Sequence, residues 1–223
     1  MDKIHSLTGM LDHYDDGDIE NISVKIFETE KRIKKVFTNY KYSEIRTPAL
    51  EDTNLFIRSA GDASDIVNKE IYSFNDRNEK NIALRPEGTA SAIRAIIEKK
   101  LDQTNHKLWY LGPMWRYERP QKGRYRQFYQ AGVEILGYEE GAPEYEIISM
   151  VCSIIEEFKL KNCSIKINHL GDKESKKLFC DALIEYLEPF KDSLDEKDLI
   201  RLTKNPLRVL DSKNKETQSI LKN

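Results

Sequence analysis

The sequence predicts an α+β fold in which an antiparallel β-sheet carries flanking helices. Two long amphipathic patterns, over residues 26–40 and 144–158, are typical of helices that pack on a sheet. Between them, β-branched and aromatic runs follow one another with only turn residues in the gaps, which favours antiparallel pairing. A regular strand–helix alternation and a glycine-rich dinucleotide motif are both absent, which argues against a Rossmann arrangement.

The first half of the chain predicts four elements after the opening helix. Residues 42–50 are typical of a strand, and Pro48 favours its end or a sheet edge. A short helix is expected to begin with Thr53 as its cap and to end at Gly61. Residues 70–85 then alternate around a polar turn and predict a β-hairpin.

The second half predicts a helix, a long hairpin and a helical tail. Residues 89–100 predict a helix whose buried face is formed by Ile93, Ile96 and Ile97. Strands are expected at 108–117 and 128–136, and a further short strand at 164–168. Near Gly171 the sequence changes from strand-like patterns to charged, helical patterns, and this position is the candidate domain boundary.

Composition excludes several functional classes. The 36 Lys and Arg residues balance 38 Asp and Glu residues, so the net charge of −2 excludes a uniformly basic nucleic-acid-binding coat. The three cysteines and four histidines show neither disulfide nor zinc-site spacing. The longest apolar stretch, residues 147–155, is far shorter than the ~20 residues of a membrane span. We therefore expect a cytoplasmic protein.

Cations are concentrated in the turn of the long hairpin. The five are Arg116, Arg119, Lys122, Arg124 and Arg126, interleaved with the aromatic residues Tyr117, Tyr125 and Phe128. A solvated hairpin tip would explain the charges. However, four of the five are arginines, whose planar guanidinium binds phosphate through two hydrogen bonds, and the aromatic rings offer faces for a base. We interpret this segment as a hairpin that binds phosphates and bases.

A second group of polar residues lies where a strand is followed by a helix. In Arg85-Pro86-Glu87-Gly88-Thr89, a strand-to-helix turn with Thr89 as the cap explains three residues and leaves Arg85 and Glu87 unexplained. A carboxylate and a hydroxyl at a sheet edge can receive a substrate ammonium group.

Polar residues also interrupt the second long strand. Strand alternation puts Gln130 and Glu134 on one face with Phe128 and Gly132, where the glycine leaves room for a ligand. A charged residue on an apolar strand is costly unless it is satisfied. A solvent-exposed face is the alternative interpretation.

These motifs together resemble histidyl-tRNA synthetases, which are class II aminoacyl-tRNA synthetases. Residues 111–128, LGPMWRYERPQKGRYRQF, closely resemble motif 2 of that family, and LRPEGTA at 84–90 resembles its amino-acid-binding segment. The helix before Tyr40 with the strand to Pro48 resembles the dimer-forming motif 1, and NPLRVLDSK at 205–213 is also similar to the family. The sequence has Thr8-Gly9-Met10 where the family commonly has Arg-Gly-Met.

The resemblance implies ATP-dependent activation of histidine to histidyl-adenylate, followed by transfer to tRNA(His). Arg116 would be the catalytic residue, stabilising charge at the α-phosphate and carboxylate. The residues implied in histidine binding are Glu87, Thr89, Arg116, Gln130 and Glu134. Those implied in ATP binding are Arg116, Glu118, Arg124 and Phe128, and those facing the tRNA acceptor end are Arg119, Gln121 and Arg126. Mg²⁺ would bridge the ATP phosphates with no protein ligand assigned.

The resemblance also carries expectations about domains and assembly. Residues 1–170 would form the catalytic core with motifs 1 and 2, and residues 171–223 the start of a helical insertion. We find nothing similar to the family's Arg-Gly-Leu-Asp-Tyr-Tyr segment, motif 3 or anticodon-binding domain. We therefore expect an N-terminal fragment with impaired activity that forms a homodimer through motif 1.

The sequence leaves two other functions open. The regulatory subunit of ATP phosphoribosyltransferase resembles the synthetase catalytic domain and binds histidine without activating it, but it does not require a hairpin with both Glu118 and Arg124. A simple RNA-binding module would leave Glu87, Gln130 and Glu134 without a role.

Overall fold

The computed structural model describes residues 3–14, 16, 18, 21–60, 69–119, 121–139, 141–169 and 171–222. Gly61, the predicted helix end, and Pro120 of the hairpin turn lie outside these residues. The chain divides into two compact units, Met1–Cys163 and Ser164–Asn223. Within the described residues, no helix is both long and apolar enough to cross a bilayer.

The first unit contains four helices and six strands among its described residues. In chain order they are α1 (Ile22–Asn39), β1 (Ser43–Glu44), β2 (Leu50–Asp52), α2 (Thr53–Ala60), β3 (Tyr72–Asn75), β4 (Asn81–Leu84), α3 (Thr89–Glu98), β5 (His106–Trp115), β6 (Gln127–Leu136) and α4 (Ala142–Glu157). The strands form two three-stranded sheets with the orders β1-β5-β6 and β2-β4-β3. The predicted α+β class is confirmed.

The two sheets differ from the prediction in one respect, because β1 pairs in parallel with β5 while the other pairs are antiparallel. The predicted strand 42–50 is wrong as a single element. The Ile45 amide still donates to the carbonyl of Trp109, but the Ala49 carbonyl accepts from the Arg85 amide of the second sheet. The chain therefore leaves one sheet after β1 and joins the other at β2.

The two faces of the β5–β6 ladder have different partners. One face, with Trp109 as its buried anchor, packs on α1 and α4 through Phe37 and Met150. The opposite face packs Tyr110 against Ala92 of α3. Alternate side chains of a strand point to opposite faces, so one ladder serves both the core and the face that carries Gln130 and Glu134.

Helix α3 buries a narrower face than the sequence predicts. Ile96 is 6% exposed and Ala92 is fully buried, but Ile97 is 58% exposed. Positions four apart share one face of a helix, whereas the next residue is turned by about 100°. The expectation that Ile97 is buried is therefore wrong.

The second unit is helical, with α5 (Lys173–Leu187), α6 (Glu196–Lys204) and α7 (Lys215–Ile220) joined by two 3₁₀ turns. Its apolar core centres on Leu187 and Val209, both fully buried. The predicted strand at 164–168 is wrong, because no strand is formed in the described part of this unit. An alternating segment becomes a strand only when a ladder partner is present, and here Ile167 is 72% exposed.

Candidate functional site

Arg116 lies where β5 leaves the sheet and is held from two sides. Its Nε donates to the carbonyl of Pro86 at 2.9 Å. Its guanidinium carbon lies 5.1 Å from the centroid of the Phe128 ring, a distance typical of a cation–π contact. The Arg116 amide also donates to the Arg126 carbonyl at 2.9 Å, which extends the hairpin beyond the two strands.

The next residues form the stem and tip of the hairpin. Arg124 Nη1 donates to Glu118 Oε2 at 3.2 Å, and the two side chains are 62% and 18% exposed respectively. Gln121 and Arg124 also form an isolated antiparallel bridge. Arg119 and Gln121 are exposed at the tip. Glu118 and Arg124, two of the four residues predicted for ATP binding, are thus neighbours on the hairpin.

Arg126 occupies the base of the hairpin instead of its tip. Its guanidinium lies 4.0 Å from the centroid of the Tyr117 ring, and its Nε donates to the Glu118 carbonyl at 3.3 Å. The Gly9 carbonyl accepts from the amides of Arg126 and Gln127 at 2.8 and 3.1 Å. A role for Arg126 toward tRNA stays a prediction.

Glu87, and not Thr89, caps helix α3. The Glu87 carboxylate accepts from the Thr89 and Ala90 amides at 2.5 and 3.0 Å, while the N-cap position itself is Gly88. A carboxylate at the positive end of a helix satisfies free amides and is favoured by the helix dipole. The expectation that Thr89 is the cap is wrong, and its hydroxyl lies 3.5 Å from the Tyr110 hydroxyl.

Tyr110 is the central residue of the polar face. Its ring lies so close to two glycines that a Cβ would stand 2.2 Å away at Gly88 and 2.3 Å away at Gly132. Glu134 lies beside it, and burial raises the pKa of the Glu134 carboxyl, an effect that hydrogen bonds from Thr89 and Tyr110 oppose. Such a carboxyl is a strong acceptor for a buried N–H.

Gln130 lies on the same strand as Glu134, four residues earlier. Its Oε1 is buried and has no hydrogen-bond partner within the part of the chain that the structure describes. A buried amide oxygen without a partner is unfavourable by about 1–3 kcal/mol, so this atom is available to a ligand. Gln130 pairs with Gly112 across the ladder.

The structure therefore groups most of the predicted site residues. Arg116 contacts Phe128, Glu118 contacts Arg124, and Thr89 and Glu87 lie near Glu134. Sequence reasoning missed Tyr110, although its place opposite Gly132 follows from the strand register. No cluster of three acidic, histidine or cysteine side chains that could hold a metal occurs among the described residues.

The geometry matches known proteins. A solved apo histidyl-tRNA synthetase from S. aureus superposes with a TM-score of 0.72 and 34% identity, covering 99% of this chain and 53% of that one. A Bacillus halodurans structure titled "ATP phosphoribosyltransferase regulatory subunit/histidyl-tRNA synthetase" has a TM-score of 0.63 at 18% identity, covering 99% and 56%, and shows the fold alone. The fold is that of a class II aminoacyl-tRNA synthetase catalytic core.

The family model described as histidyl-tRNA synthetase matches residues 20–216. The chain belongs to the histidyl-tRNA synthetase family. It is 50% identical over 197 residues to the histidine–tRNA ligase of Latilactobacillus sakei, a match that covers 86% of this chain and 45% of the relative. The chain thus spans about half the length of the curated relatives it matches.

Proposed function

We propose that the function of this chain is that of a histidine–tRNA ligase, an enzyme that uses ATP to join histidine to tRNA(His). In the first step the histidine carboxylate attacks the α-phosphorus of ATP, and pyrophosphate leaves as histidyl-adenylate forms. In the second step the histidyl group passes to the terminal adenosine of the tRNA and AMP leaves. The observation that carries the proposal is the placement of Arg116 against Phe128 on a strand pair that also presents Gln130 and Glu134.

Arg116 is the proposed catalytic residue. Its Nε is engaged by the Pro86 carbonyl, so the orientation of the guanidinium is set before substrate arrives. A preoriented cation stabilises charge that develops at the α-phosphate and the attacking carboxylate. Phe128 supplies an aromatic face for the adenine, and Glu118 and Arg124 supply an acceptor and a cation for the base and the outer phosphates.

Glu134 is proposed to recognise the imidazole of histidine through a hydrogen bond. Thr89 and Tyr110 already donate to the half-buried Glu134 carboxyl, so an amino acid without a suitable N–H leaves only its remaining acceptor capacity unsatisfied. A site built on such a hydrogen bond rejects substrates that lack the donor more strongly than an apolar pocket can. Glu87, Thr89 and Gln130 are proposed to hold the amino end of histidine.

Further partners follow from the same proposal. Mg²⁺ would be held mainly by phosphate oxygens and water. The exposed tip, with Arg119 and Gln121, and Arg126 at its base are proposed to meet the acceptor end of tRNA, in the cytoplasm. We propose that motif 1 forms a homodimer, which sedimentation of the purified chain would test. We propose residues 1–170 as the catalytic core and 171–223 as the start of a helical insertion.

Calorimetric titration of this chain with histidine and with a non-hydrolysable ATP analogue tests the proposal. We expect both to bind, with Arg116→Ala weakening the ATP analogue and Glu134→Gln weakening histidine, each roughly 10- to 100-fold. Arg77→Ala, at an exposed turn, and Glu139→Gln, an exposed acid, are the matched controls and should bind like the original chain. Failure to bind either substrate, or equal binding of histidine and leucine, would overturn it.

A histidine-binding regulatory protein is the second candidate, because the B. halodurans structure shares the fold. Binding of the ATP analogue that depends on Arg116 and Arg124 distinguishes the two, since a regulatory protein requires histidine binding alone.

A further inference from the structure

Arg85 is a half-buried cation at the end of β4, where the two sheets of the first unit approach each other. Its Nη1 donates to the carbonyl and the hydroxyl of Thr47 at 2.8 and 3.1 Å. Its Nε donates to the Pro113 carbonyl at 3.1 Å. The guanidinium therefore connects the segment after β1 with strand β5.

The backbone of the same residue continues this connection. The Arg85 amide donates to the Ala49 carbonyl at 2.9 Å, and its carbonyl accepts from the Trp115 amide at 3.0 Å. The following residue, Pro86, is fully buried and accepts from Arg116 Nε at 2.9 Å. The peptide bond from Arg85 to Pro86 and the hydrogen bond from Arg116 to the Pro86 carbonyl thus connect Arg85 to the guanidinium of Arg116.

The surroundings of Arg85 leave its side chain little freedom. A Cβ added at Gly112 would stand 2.9 Å from Nη2, so that glycine makes room for the guanidinium. Burial lowers the pKa of Arg85, and the negative charge of Glu51 opposes this effect. Glu51 itself is paired with Arg94 at 2.7 Å. Arg85 donates to two carbonyl oxygens and one hydroxyl oxygen.

We propose that Arg85 is a positioning residue that sets the place of Arg116 by fixing the Arg85–Pro86 backbone between the two sheets. This inference rests on the proposed role of Arg116 toward ATP. A shift of about 1 Å in a group that orients a reacting phosphate can lower activity by roughly 100-fold. Arg85 would thus act on the substrate only through Arg116.

A double-mutant cycle on the complete chain tests the inference, with the affinity for a non-hydrolysable ATP analogue as readout. We expect Arg85→Met to weaken binding roughly 10-fold, Arg85→Lys to restore part of this loss, and Arg85→Met to have no further effect in an Arg116→Ala background. Thr47→Val removes one acceptor and should weaken binding about 2- to 3-fold, which keeps the test available if Arg85→Met does not fold.

Lys107→Met is the matched control. Lys107 is likewise a half-buried cation; it lies on β5, at the end of the strand opposite to Arg116, and pairs with Glu146 at 2.6 Å. We expect a lower unfolding temperature with unchanged ATP-analogue affinity. The inference would be overturned if the losses of affinity in Arg85→Met and Arg116→Ala were additive in the double variant. It would also be overturned if the Arg85 and Thr47 variants bound the ATP analogue with unchanged affinity. If the original chain does not bind the ATP analogue, or if Arg116→Ala leaves its affinity unchanged, the proposed function is overturned instead.

Discussion

The Tyr110 ring fills the space that a side chain at Gly132 would need: a Cβ there would lie 2.3 Å from Cζ of Tyr110. The two residues face each other across the β5–β6 ladder. The φ angle of Gly132 is not positive, so the backbone conformation does not require a glycine here. The Tyr110 ring requires it.

Gly132→Ala should destabilise the first unit by about 1–3 kcal/mol, because the new methyl group forces the ring out of a well-packed position. Urea unfolding followed by tryptophan fluorescence measures the change. Tyr110→Leu should recover most of the loss in the double variant, whereas Tyr110→Phe should not, because Cζ remains. An unchanged midpoint for Gly132→Ala alone would contradict the packing described.

Glu134→Gln should raise stability at neutral pH while weakening histidine binding roughly 10- to 100-fold. Burial raises the pKa of the Glu134 carboxyl, so the folded chain holds this proton more tightly than the unfolded chain. The carboxyl therefore contributes destabilisation that grows as pH rises from the unfolded pKa through the folded one. The gain in unfolding temperature should shrink as the pH is lowered, and a gain that grows instead would contradict the burial of this group.

Reversing the charges in Glu118→Arg with Arg124→Glu should change stability by less than about 1 kcal/mol. The pair is partly exposed, and exposed ion pairs contribute little to folding. Affinity for the ATP analogue should nevertheless fall at least ~10-fold, because acceptor and cation have exchanged places. Calorimetry at two salt concentrations measures it, and retained affinity would show that the pair serves the hairpin alone.

Asp198→Asn should destabilise the second unit by about 2–4 kcal/mol, because Arg201 loses its buried partner. Burial opposes ionisation of Asp198, but hydrogen bonds from Ser212, Thr217 and Arg201 outweigh it and lower the pKa. The contribution to stability is thus complete above the unfolded pKa of about 4 and is lost as pH falls through the folded one.

Hydrogen exchange of the complete chain localises this effect to α5–α7. The exposed Asp181→Asn on α5 is the control and should leave exchange unchanged. Equal protection in the Asp198 variant would contradict a structural role for the buried carboxylate.

The long hairpin could be predicted from the sequence because local patterns determine it. Its two ten-residue strands are adjacent along the chain; β5 is rich in aromatic residues, and β6 adds the β-branched Val133 and Ile135. Residues 42–50 could not be predicted as two strands, because their division depends on Trp109 and Arg85, which are distant in sequence. Long-range partners leave no signal in a local window.

The site shows the same division. Alternation along β6 correctly groups Gln130 with Glu134. The local sequence predicts Thr89 as the cap of α3 and does not exclude Glu87, because both side chains can accept a hydrogen bond from the first amides of a helix. The contact of Arg126 with Tyr117 could not be predicted, because it depends on the twist of the hairpin and on the distant Gly9 carbonyl.

The hydrogen bonds of the Gly9 carbonyl also determine when the N-terminal segment can dock during synthesis of the chain. The partners of Gly9 are the amides of residues 126 and 127, so a ribosome must add more than a hundred residues before the early segment can dock. Contacts of such sequence separation form late and slow folding. The N-terminal segment therefore closes the hairpin base only after the strands it joins have been made.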